Sequence, residues 1–152
     1  MRVRSVLEVV IQGVEVTLCA RGCRIQDSGS ADKTSFVSNC KISKTLEANL
    51  YLAHAQYDGS ANYGCVNFVL SNNYCEDAIN NGILLIGSKQ CTVLGNTING
   101  SASAGIMCWH CLDTRIIGNS LYNTNRLAHT GIGTGGDAMG AIYISGHNNI
   151  QA

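Results

Sequence analysis

Gly82-Ile83-Leu84-Leu85-Ile86 superposes on Gly105-Ile106-Met107-Cys108-Trp109 at an offset of 23 residues, and the same offset carries Val93-Leu94-Gly95-Asn96-Thr97-Ile98 onto Ile116-Ile117-Gly118-Asn119-Ser120-Leu121. Two blocks therefore share one period. A third copy of the first block, Ala141-Ile142-Tyr143-Ile144-Ser145, lies 36 residues further on, which is the 23-residue period plus a 13-residue insertion within 123–140. Upstream, Asn49-Leu50-Tyr51-Leu52-Ala53 resembles the first block, and Val69-Leu70-Ser71-Asn72 matches the second at an offset of 24. Gly22-Cys23-Arg24-Ile25 and Asn39-Cys40-Lys41-Ile42 are fainter echoes of Gly95-Asn96-Thr97-Ile98, bringing the visible coils to about five or six.

A period in this range signals a solenoid, because one unit cannot bury its apolar face alone and must stack on its neighbours. The blocks are short, alternating and rich in Ile, Val and Leu, with Gly, Asn and Ser between them, so they read as strands and turns rather than helices. The absence of proline suits central strands, whose every N–H donates to a neighbouring coil. The expected fold is all-β: a single right-handed parallel β-helix domain, or a fragment of one, over 1–152 with about 23 residues per coil, insertions near 56–64 and 123–140, and a C-terminal end that stops in mid-coil.

Charged residues make up only 13%, and ten Lys and Arg balance ten Asp and Glu, so no net field draws the chain to nucleic acid or anionic lipid. No apolar run approaches the roughly 18 residues needed to span a bilayer. Val6 to Ile11 is interrupted by Glu8 and lacks a small-residue cleavage pattern, so no signal peptide is read.

Gly95-Asn96-Thr97-Ile98, Gly118-Asn119-Ser120-Leu121 and Ile144-Ser145-Gly146-His147-Asn148-Asn149-Ile150 resemble the right-handed parallel β-helix repeats of the pectin-lyase-like superfamily, over most of 14–152. That superfamily spans polysaccharide lyases, glycosidases, epimerases and trimeric phage tailspikes, so the resemblance bears on fold far more than on chemistry. It implies that the recurrent asparagines sit at turns, with Asn72, Asn96 and Asn119 forming a ladder from coil to coil. It also implies a polysaccharide partner, homotrimeric assembly and a virion or extracellular location.

The eight cysteines include Cys108-Trp109-His110-Cys111, with the spacing of a redox or zinc motif that Cys19 and Cys23 could complete. The register opposes this. Cys108 aligns with Leu85 and Ile144, which point inward, and Cys23 and Cys40 fall where other coils place asparagine. Residues 19 and 108 are also several coils apart, at about 4.8 Å per coil. Free, buried thiols are expected, with no metal and no cofactor.

If Leu50, Leu52, Ile83, Leu85, Ile106, Cys108, Ile142 and Ile144 point inward, alternation sends Tyr51, Leu84, Met107 and Tyr143 outward in one row and Ala53, Ile86, Trp109 and Ser145 in another. Such an apolar face marks a partner surface or a sugar-stacking groove. Trp109 and Tyr143, with Arg126 and His129 of the insertion, are the candidate saccharide-binding residues. Glycosidic cleavage requires paired carboxylates. Glu76 and Asp77, in a loop just before the Ile83 strand, and Asp137, in the insertion, are the candidate catalytic groups. The expectation is a carbohydrate-directed β-helix that binds polysaccharide and, if an enzyme, acts as a glycoside hydrolase or polysaccharide lyase. The alternative is a non-catalytic structural module that forms trimers.

Overall fold

A computed structural model describes residues 1–54, 63–125, 141–145 and 150–151. The chain winds through three parallel sheets in turn. The first sheet stacks β1 (Arg2–Arg4), β4 (Cys23–Gln26), β7 (Leu50–Ala53), β11 (Ile83–Ile86), β15 (Ile106–Trp109) and β18 (Ile142–Ser145). The second stacks β2 (Val10–Gln12), β5 (Ser35–Ser38), β9 (Phe68–Ser71), β13 (Thr92–Leu94), β16 (Thr114–Ile117) and β19 (Ile150–Gln151). The third stacks β3 (Glu15–Cys19), β6 (Lys41–Thr45), β10 (Tyr74–Ala78), β14 (Thr97–Asn99) and β17 (Ser120–Tyr122). A short pair, β8 (Cys65–Val66) and β12 (Ser88–Lys89), extends the corner between the first two sheets. Every pairing between strands of the described residues is parallel, which defines a parallel β-helix.

The inward residues form three ladders. Ile25, Leu52, Leu85 and Cys108 stack in the first sheet, Val37, Leu70, Val93 and Ile116 in the second, and Ile42, Cys75 and Ile98 in the third. Nearly all of these side chains lose essentially all their exposure. Each coil alone would leave them wet, so hydrophobic burial acts between coils and drives the stacking. Ile142 and Ile144 keep the inward register but are each 38% exposed, on the edge strand of the first sheet.

The register matches the sequence reading for Ile83 on Ile106, an offset of 23, and for Ile106 on Ile142, an offset of 36. It corrects that reading in three places. Cys23-Arg24-Ile25 is a copy of the first block, paired with Leu50-Tyr51-Leu52, and not of the asparagine turn. Val69 pairs with Thr92, an offset of 23 rather than 24, so Asn73 and not Asn72 aligns with Asn96. Glu76 and Asp77 lie within β10 instead of a loop.

The asparagine ladder consists of Asn73, Asn96 and Asn119. Asn96 Oδ1 accepts from the backbone N–H and from Nδ2 of Asn73, while Asn96 Nδ2 donates to the Leu70 carbonyl at 2.9 Å. Asn119 repeats the pattern one coil on, and Asn73 Oδ1 accepts from the N–H of Cys40 in the coil before. The residue preceding each asparagine adopts left-handed backbone, Asn72 at φ 54°, Gly95 at 63° and Gly118 at 62°. This explains the Gly or Asn there. Gly82 serves a different need: a Cβ on it would lie 2.3 Å from Ile98 and 2.7 Å from the Gly105 carbonyl oxygen, so only glycine lets the third sheet turn into the first.

Candidate functional site

The first sheet ends at a corner where successive coils place Ser5, Asp27, His54, Gly87 and His110 one above another. Their amides donate in order to the carbonyls of Gln26, Ala53, Ile86, Trp109 and Ser145. Ser5, Asp27, Gly87 and His110 take left-handed φ between 46° and 56°, turning the chain out of the strand and projecting these side chains along one edge. Just inside the corner, the last outward position of each strand carries Arg4, Gln26, Ala53, Ile86, Trp109 and Ser145. One further in, the outward row runs Arg2, Arg24, Tyr51, Leu84, Met107 and Tyr143.

These outward rows are the ones expected from the sequence, but they are not uniformly apolar or open. Leu84 is 8% and Ala53 only 1% exposed, whereas Trp109 is 41% exposed. Trp109 lies against the His110 ring, with centroids 5.7 Å apart and tilted by 35°. The Arg24 guanidinium sits 4.9 Å above the Tyr51 ring, a cation–π contact. Burial pushes the Tyr51 phenol up, an effect that Arg24 partly offsets.

At the end of the edge nearer the N-terminus is a cavity of about 440 Å³ lined by Arg4, Asp27, His54, Tyr63 and Val66, with Gly29 and Gly64 in its wall. Arg4 Nε and Asp27 Oδ2 are 3.6 Å apart. The cavity thus offers a cation, a carboxylate, an imidazole and a phenol within a polar, partly open space. That assortment suits a hydroxyl-rich ligand.

Of the residues expected from the sequence, Trp109 and Tyr143 stand on adjacent first-sheet strands, both outward. Glu76 and Asp77 stand on the third sheet and are not brought to them. The Tyr74 hydroxyl donates to Glu76 at 3.2 Å, and Asp77 lies over Gly100 of the next coil. Arg126, His129 and Asp137 fall outside the described residues. Sequence reasoning missed Arg4, Asp27, His54, Tyr63 and His110. A signal was present for three of them: extending the repeats 50–53 and 106–109 by one residue gives His54 and His110, and assigning Cys23–Gln26 to the same block gives Asp27.

The cysteines are free, and all but the half-buried Cys19 are buried. Burial pushes the Cys23 thiol up to about 12 and Cys65 to about 11, from an ordinary 9.0. Cys75 and Cys91 are driven upward by the same desolvation. Cys108 and Cys111 share a thiol hydrogen bond that raises Cys108 and lowers Cys111. A thiol whose folded value is raised stabilises the fold in full below its unfolded value, and that stabilisation is lost as pH rises through the folded value. The urea midpoint should therefore fall between pH 9 and 11, the window set by the ordinary value and Cys65. Thiol reagent should modify Cys19 promptly in the native protein, and all eight cysteines only after denaturation. A flat stability profile over that window, or eight fast native thiols, would contradict the burial.

Coils of three stacked parallel sheets define a parallel β-helix. The model of the family described as "Periplasmic copper-binding protein (NosD)" matches residues 5–150, and the chain belongs to the NosD family. No curated protein and no solved structure matches it. The pectin-lyase-like and tailspike assignment gains no support from these comparisons beyond the shared solenoid architecture.

The family description raises the question of copper. Soft thiolates suit Cu(I), and Cys108 with Cys111 is the one hydrogen-bonded thiol pair among the described residues. Both face the solenoid interior with 0% exposure, and Cys111 Sγ is already directed at the Leu85 carbonyl, 3.5 Å away. Among the described residues no three His, Cys, Asp or Glu side chains converge as metal ligands. Among the described residues no cation acts on either thiol to offset the burial of an anionic dithiolate–copper centre. The described residues do not fit a copper centre.

Proposed function

We propose that this chain is a saccharide-binding β-helix working outside the cytoplasm, with the corner edge of its first sheet as the binding face. The observation that carries this reading is the alignment, coil upon coil, of aromatic side chains (Tyr51, Trp109, Tyr143) with polar ones (Arg4, Asp27, His54, His110) along one edge. Aromatic faces stack on the apolar faces of pyranose rings while nearby polar groups take the hydroxyls. A rigid ladder spaces such contacts at the strand separation of about 4.8 Å, which suits an extended polymer better than a compact metabolite. The periplasmic placement in the family's description is consistent with an extracytoplasmic glycan partner.

Trimerisation through this face is the weaker reading, because Leu84 and Ala53 are already covered within the chain and leave less apolar area for a partner subunit. Cleavage is a separate proposal. The carboxylate beside the stripe is Asp27, while Glu76 and Asp77 are on another sheet.

Calorimetric titration against a panel of bacterial surface polysaccharides tests the proposal, with reducing-end release read in the same samples to report cleavage. Trp109→Ala should weaken binding about tenfold or more, the worth of one stacked aromatic with its buried area. Unchanged affinity in a folded Trp109→Ala protein would move the binding face elsewhere.

A further inference from the structure

The outer face of the first sheet is electrically uneven, although the whole chain is neutral. Its aromatic side chains lie in the later coils and its cations in the first two, where Arg2, Arg4 and Arg24 all project from β1 and β4. Arg2 and Arg24 are direct register partners, so two like charges face each other across neighbouring strands. Like charges so placed repel and destabilise the pairing.

Three of the six described lysines and arginines elsewhere on the solenoid are matched by carboxylates. Lys41 pairs with Glu15 at 3.1 Å and Lys33 with Glu8 at 3.2 Å, and Arg21 pairs with Glu47. Among the described residues no ion pair joins a carboxylate to Arg2 or Arg24, whereas Arg4 pairs with Asp27. Arg24 Nε is moreover buried without a hydrogen-bond partner. Its guanidinium carbon lies 4.9 Å from the Tyr51 ring centroid, a cation–π contact that restrains the side chain on this face. A guanidinium fork beside a second arginine suits a planar or tetrahedral oxyanion, which it can grip through two parallel hydrogen bonds.

We propose that the saccharide recognised by this face is an acidic one, bearing carboxylate or sulfate groups, with Arg2 and Arg24 as the anion-binding subsite and the Tyr51, Trp109 and Tyr143 side as the ring-stacking track. This rests on the saccharide reading above and adds the charge of the ligand. The aromatic residues continuing along the same face favour a glycan over a free inorganic anion, since inorganic anions have no apolar face to stack.

The test compares binding of alginate and dextran sulfate with binding of uncharged dextran and galactomannan, for the wild-type chain, an Arg2→Gln/Arg24→Gln double variant and Trp109→Ala. Duplex DNA and inorganic sulfate serve as further probes. Wild type should prefer at least one acidic polymer over its neutral counterparts by about tenfold or more. That preference should vanish in the arginine variant and at high salt. Trp109→Ala should weaken acidic and neutral ligands alike. The arginines are outside the buried ladders and repel each other, so the double variant should keep its circular dichroism and melt no lower than wild type.

Equal binding of neutral and charged polymers, or a preference untouched by the arginine exchanges, would overturn the inference while leaving the saccharide reading standing. Equally tight binding of DNA or free sulfate would also overturn it, by showing a plain anion site. No binding of any polysaccharide, with Trp109→Ala silent, would remove both proposals together.

Discussion

Asn96→Ala should lower stability by roughly 3–5 kcal/mol, because it strips hydrogen bonds from buried groups that no water can reach, each worth about 1–3 kcal/mol when left unmade. The side chain is 0% exposed. Its Oδ1 serves the N–H and amide of Asn73 in the preceding coil, and its Nδ2 serves the Leu70 carbonyl and Asn119 Oδ1. Alanine leaves the N–H of Asn73 and the carbonyl of Leu70 buried and unpaired. Asn119→Ala should cost visibly less, since Asn119 is only half-buried and water can replace part of what is lost. Because coils interact only with their neighbours, the damage should be local: amide exchange should accelerate most at β9, β13 and the turns beside them. A midpoint shift in urea no larger for Asn96→Ala than for Asn119→Ala would show that the ladder is not a stability element.

How far the sequence revealed this structure depended on which residues repeat and which do not. Ile83-Leu84-Leu85-Ile86 and Ile106-Met107-Cys108-Trp109 stand one undisturbed coil apart, so their period and facing were readable directly, and with them the outward placement of Trp109 and Tyr143. The first coils were harder. From Arg2 to Arg24 the step is 22 residues, from Cys23 to Leu50 it is 27, and from Leu50 to Ile83 it is 33. Coils of unequal length hide a period, since corners absorb extra residues without disturbing the ladders. That is why Cys23-Arg24-Ile25 was matched to the wrong sheet. Asn72 and Asn73 show the complementary ambiguity: two adjacent asparagines fit one alignment equally well, and only the left-handed backbone at Asn72 decides that it replaces Gly95 while Asn73 makes the ladder bonds.

The binding edge was half legible for the same reason. Aromatic residues announce themselves within a strand by alternation, whereas Asp27, His54 and His110 occupy a corner, where no local periodicity applies and only the stacking of coils makes them neighbours. The cavity lined by Arg4, Asp27, His54, Tyr63 and Val66 joins residues up to 62 positions apart, from Arg4 to Val66. No window of sequence contains it. Glu76 illustrates the converse error: its position shortly before Ile83 in sequence suggested proximity to the first sheet, yet β10 belongs to the third and its outer face looks elsewhere.

Phe68→Ala is expected to be as damaging as the loss of Asn96, but through packing, with a cost of about 3–5 kcal/mol. Phe68 is the largest of the fully buried side chains among the described residues, at 0% exposure in β9, and its ring reaches the backbone at Gly29. Its ring runs beneath Gly29, at which an added Cβ would sit 2.7 Å from the Phe68 ring and 2.1 Å from the Val66 carbonyl oxygen. Gly29 and Val66 also line the cavity beside Asp27 and His54. Removing the ring therefore opens a void directly under the candidate binding site, and the backbone of a closed solenoid can collapse into it only by disturbing the strands above and below. Phe68→Leu should recover much of the stability by refilling part of the void. Two measurements separate the roles: the urea midpoint should rank wild type above Phe68→Leu and Phe68→Ala last, and saccharide affinity should fall in Phe68→Ala at temperatures where the protein is still folded. If Phe68→Ala lost less than 1 kcal/mol, the corner would have to be loosely packed, and the cavity would not be the preformed site on which the binding reading depends.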